Sequence, residues 1–211
     1  MSDADFNDRL VLNCSTTPPE LNEFLATYRV ARTVPGESAR RLFWSEVRAA
    51  VKSWNQLDSI LEKAQSLTRH VSAIPFEGKE RMSKRLPFSA ATKLGWFLAN
   101  DNWTLFDSRA NKTLGAQGFM HFYEVTHRLG FSRWCVRTKE LFAKAGEQVL
   151  SPERTWDKLL YLLGGELNPG TKKISVAPHD LILGDKIANA EASAALQAYL
   201  EVRLGVCRAQ K

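Results

Sequence analysis

A lysine and an aspartate stand fourteen residues apart in the segment Leu86–Leu114, LPFSAATKLGWFLANDNWTLFDSRANKTL. Lys93 falls in the first turns of an apolar helix, between Thr92 and the run Leu94, Trp96, Phe97 and Leu98. A lysine stem packed among such neighbours is part-buried, which disfavours the ammonium and favours the neutral amine that a nucleophile requires. Asp107 follows the hydrophobic tetrad Trp103-Thr104-Leu105-Phe106. A carboxylate near a reacting amine stabilises developing positive charge or carries a proton. Two plainer readings stay open beside this one: Lys93 as a surface charge near a helix start, and Asp107 as the N-cap of the helix that follows it.

The surroundings suit a polyanion. Lys79, Arg81, Lys84 and Arg85 precede the segment, and Arg109 and Lys112 follow Asp107. Together with Ser89 these are the candidate nucleic-acid contacts, since clustered cations displace phosphate counterions; solvated charge is the alternative. Arg133, Arg137 and Lys139 around Trp134 form a second basic-aromatic stretch, and Lys172 and Lys173 a third basic site. Trp96, Trp103, Phe106 and His121 are the candidate walls of a pocket for an extruded base, with helix core as the alternative for each aromatic. His70, His127 and His179 have no ligand-like spacing, so neither a metal nor a cofactor is expected. The usual NTPase, dehydrogenase, metalloprotease and hydrolase motifs do not occur.

Positioning these residues falls to helices. Period-3.6 apolar patterns predict helices at about 20–32, 37–54 and 57–71, then 90–100 with Ser89 as N-cap and 108–114 with Asp107 as N-cap and Gly115 as stop. Further helices are expected at about 118–129, 132–149, 152–163 and 186–204. No sustained period-2 run occurs, so the predicted fold is all-α, an array of eight or so helices. Residues 1–17 read as a loose arm ahead of one helical domain spanning 18–211, with its motif core at 79–115.

Composition is consistent with this. The 211 residues carry a net charge of +6, and 44% are hydrophobic, an ordinary globular balance. No window has the roughly 18 apolar residues of a membrane span, and the first ten residues lack a signal-peptide pattern. Cys14, Cys135 and Cys207 are scattered, which fits a reducing cytoplasm better than a disulfide framework.

The segment resembles the core of the helix-hairpin-helix DNA glycosylases, in particular the 8-oxoguanine glycosylase branch and its bacterial relatives. Thr92-Lys93 matches the family's Thr-Lys pair, and Phe106-Asp107-Ser108-Arg109 falls where the family has its catalytic aspartate. The resemblance extends over about residues 36–163, with its distinctive motifs at 86–109. It implies the all-helical glycosylase fold, DNA as partner, and an amine, Lys93, that attacks the sugar C1′ to give a Schiff base with help from Asp107. The chain departs from the pattern in its hairpin turn: Leu86-Pro87-Phe88-Ser89-Ala90-Ala91 has no glycine. That departure favours a second reading, a non-catalytic nucleic-acid-binding or protein-interaction module on the same fold, as in anti-phage defence.

Overall fold

Eight α-helices and no strands occur among the residues that the computed structural model describes, 20–28, 30–74, 86–99, 102–144 and 151–165. The expected arm, the basic run at 79–85, the loop bearing Lys172 and Lys173, and the expected helix at 186–204 lie outside them. No helix in the described residues is long and apolar enough to cross a membrane. The chain divides into two compact units, Met1–Phe106 and Asp107–Lys211.

The first unit contains α1 (Glu20–Thr27), α2 (Glu37–Ser53), α3 (Ile60–Ser72) and α4 (Phe88–Ala99). An isolated helix as short as α1 is not stable in water. It holds because Leu21, Phe24 and Leu25 are buried, each worth roughly 1.5–3 kcal/mol. The helix expected to reach Arg32 stops at Thr27, and a 3₁₀ turn at Ala31–Thr33 follows. On α2 the buried stripe is Phe43, Trp44, Val47, Ala50 and Val51. Leu42 is exposed, and Trp44 faces inward. A second 3₁₀ turn, Trp54–Gln56, breaks the chain before α3.

Ser59, rather than Leu57, starts α3. Its hydroxyl accepts from the Glu62 N–H while Glu62 accepts from the Ser59 N–H, a capping box. Helices α2 and α3 are joined by Ser53 Oγ and Ser66 Oγ at 3.0 Å and by His70 Nδ1 and Glu46 Oε2 at 2.8 Å. Helix α4 begins two residues earlier than expected. The Pro87 carbonyl accepts from the Ala91 N–H at 2.9 Å, so Ser89 sits within the first turn and does not cap it.

The second unit contains α5 (Ser108–Thr113), α6 (Phe119–Arg128), α7 (Phe131–Lys144) and α8 (Pro152–Gly165). Gly130, at φ +75°, is the hinge that lets α6 end and α7 begin within two residues, a conformation costly for any side chain with a Cβ. Phe122, Tyr123, Trp134, Phe142, Trp156, Leu159 and Leu160 form its core. Helix α8 packs against both α5 and α7.

Candidate functional site

In the first unit the site residues cluster around Thr92. Its side chain is fully buried, so each of its polar atoms must be satisfied within the protein. The Thr92 hydroxyl donates to the Ser89 carbonyl at 3.2 Å and accepts the Phe106 N–H at 3.2 Å. The Thr92 carbonyl accepts from Trp103 Nε1 at 3.1 Å. One residue thus fastens both ends of the Trp103–Phe106 segment to α4. The chain reverses into that segment at Asn102, which sits in the left-handed region at φ +48°.

Lys93 follows Thr92 on α4 and is half-buried, between the buried Thr92 and Leu94. Ser89, Lys93 and Trp96 recur at i, i+4 and i+7 and share a helix face. Two of the aromatic candidates are core residues in this conformation. Trp103 is fully buried and packs against Trp54, tilted by 40° with ring centroids 4.3 Å apart. Trp96 is buried edge-on against Phe97 at 4.9 Å, and Phe97 in turn meets Phe24 of α1 at 5.4 Å. Phe106 is half-buried.

Lys63 is a residue that sequence reasoning passed over. Its side chain is only 7% exposed, and its Nζ lies 5.9 Å from the Trp54 ring centroid and 3.5 Å from the Asn102 carbonyl. A lysine in the buried stripe of α3 looks from sequence like a polar interruption; its role emerges only when the turn at Asn102 is folded onto it.

In the second unit Asp107 is the N-cap of α5, as its position predicts. Its Oδ1 accepts from the Arg109 and Ala110 N–H groups, both at 2.8 Å. Its other carboxylate oxygen has no hydrogen-bond partner among the described residues. Arg109 is half-buried, and its guanidinium carbon lies 4.3 Å from the Tyr161 ring centroid; Lys112 is exposed. His121 reaches back to the start of α6, where Nδ1 accepts the Gln117 N–H at 3.0 Å. That bond makes Nε2 the protonated nitrogen of the neutral ring.

Tyr123 and Cys135 lie deeper in this unit. Burial pushes the Tyr123 phenol well above its ordinary range, with Asp157 adding to the effect. Burial likewise pushes the Cys135 thiol far up, with Glu153 and Asp157 adding to it. Such a thiol is inert. No group of three His, Cys, Asp or Glu among the described residues could hold a metal ion. The expected phosphate contacts Lys79, Arg81, Lys84 and Arg85 lie outside the described residues. In comparisons with family models, curated proteins and solved structures, none matches this chain.

Proposed function

We propose that the chain acts on DNA as a glycosylase of the helix-hairpin-helix type, with Lys93 as nucleophile and Asp107 as the assisting carboxylate. The observation that carries this reading is the Thr92 clasp, in which the residue before Lys93 holds the backbone N–H of the residue before Asp107. Half-burial of Lys93 on a helix that has no other charged residue agrees with a lysine kept for chemistry.

In this reaction the Lys93 amine bonds to C1′ of the sugar as the C1′–base bond breaks. The electron pair leaves with the base, which takes up a proton. Loss of a proton from the attached nitrogen and opening of the sugar ring then give the Schiff base. Asp107 has one carboxylate oxygen committed to α5 and the other left to accept a proton or to face the developing positive charge.

Borohydride reduction in the presence of DNA carrying modified bases is the test. A covalent protein–DNA adduct is expected from the native chain and none from Lys93→Ala. An adduct that persists in Lys93→Ala overturns the assignment. The engagement of Asp107 as a helix cap, together with the glycine-free turn before Lys93, favours a second reading, a non-catalytic DNA-binding module. Salt-dependent DNA binding without an adduct or base release selects it.

A further inference from the structure

Helices α5 and α8 are fixed to each other at one buried point. The Thr113 hydroxyl lies 2.8 Å from the Leu160 carbonyl of α8 and 3.1 Å from the Arg109 carbonyl of its own helix. The contact sets the register of the two helices one turn from Arg109 and one residue from Tyr161. Arg109 consequently lies over the Tyr161 ring at 4.3 Å, yet Tyr161 as a residue remains 49% exposed. The part of Tyr161 that Arg109 leaves uncovered is open to solvent.

The stack has a chemical consequence. A guanidinium lying over a ring spends its face, while its N–H groups point outward in its plane, the arrangement that grips a phosphate bidentately. No carboxylate among the described residues pairs with Arg109. Lys112 lies three residues further along α5, on the same side, and is exposed. On α8, Arg154, Lys158 and Tyr161 recur at i, i+4 and i+7, so the aromatic ring ends a basic stripe.

We propose that Arg109, Lys112 and Tyr161 form a contact for single-stranded nucleic acid. An unstacked base lies on the exposed part of the Tyr161 ring, and Arg109 and Lys112 hold the flanking phosphates. A flat ring beside outward-facing guanidinium donors suits a strand that offers base faces and phosphates alternately. An acidic peptide would use the charges and leave the ring idle. The contact deepens the reading above and rests on it for the class of partner, but not for the chemistry at Lys93.

The test is fluorescence anisotropy of the full chain with a short fluorescein-labelled oligothymidylate across a salt series. Tyr161→Leu is expected to weaken binding about tenfold, and Tyr161→Phe to restore it. Lys112→Gln is expected to lower the slope of log affinity against log salt by about one. Arg109→Lys, which keeps the charge and loses the fork, is expected to weaken binding with little change in that slope. Unchanged affinity in both Tyr161→Leu and Arg109→Lys overturns the contact. Oligothymidylate binding no tighter than that of polyglutamate also overturns it. Lys93→Ala separates the two proposals: loss of the borohydride adduct with retained, Tyr161-dependent binding supports both, whereas an adduct that survives Lys93→Ala sinks the nucleophile assignment alone.

Discussion

Thr92 and Asp107 are the two residues whose removal tells most. Thr92→Val keeps the shape of the side chain and deletes the acceptor for the Phe106 N–H. Leaving a part-buried donor without its partner costs about 1 kcal/mol, so the urea midpoint should fall measurably. Asp107 allows its two roles to be separated. Asp107→Ala removes the acceptor for two N–H groups at the start of α5 and should cost about 1 kcal/mol. Asp107→Ser restores a capping oxygen and should recover that stability. If the carboxylate also serves the chemistry, both variants lose the borohydride adduct. A serine variant that keeps full adduct yield reduces Asp107 to a cap.

At the scale of elements, Gly95 illustrates a conflict between local preference and packing. Alanine is a better helix former than glycine by about 1 kcal/mol. A Cβ at Gly95, however, would meet Trp54 Cη2 at 2.8 Å. Trp54 has little room to retreat, because it is buried and packed against Trp103. Gly95→Ala should therefore destabilise the first unit by about 1–3 kcal/mol in spite of its helix propensity, as read by thermal or urea unfolding.

The same level shows what the sequence could and could not reveal. Helices α2, α6 and α8 fall close to their predicted spans because long apolar stripes and glycine or proline punctuation mark them locally. Asp107 and Gly115 act at the ends of α5 as their types suggest. Ser89 misled because a serine ahead of an apolar run looks like a cap, while Pro87 supplies the first carbonyl. A core indole and a pocket wall have the same residue type, so the burial of Trp103 and its hydrogen bond to Thr92 were not legible before folding. The Arg109–Tyr161 stack was invisible because no local pattern links residues on two helices so far apart in the chain.

For the molecule as a whole, the buried Tyr123 and Cys135 set an alkaline limit. Both groups hold their protons more tightly when folded than when unfolded. Above about pH 9 the unfolded chain releases protons that the folded chain keeps, so stability is full below that range and falls as pH rises, by up to about 1.4 kcal/mol per pH unit for each group. Urea midpoints at pH 8 and pH 10 should differ accordingly, and Cys135→Ala should flatten the decline. The tryptophans offer a different benefit. Trp54 and Trp103 lie 4.3 Å apart in one unit, and Trp134 and Trp156 lie 5.9 Å apart in the other. Each unit therefore carries its own coupled pair of chromophores. With Trp134 and Trp156 changed to phenylalanine, the tryptophan bands of the near-ultraviolet circular dichroism would follow the first unit alone. Comparing that trace with the native chain's would reveal whether the halves melt in concert or in succession.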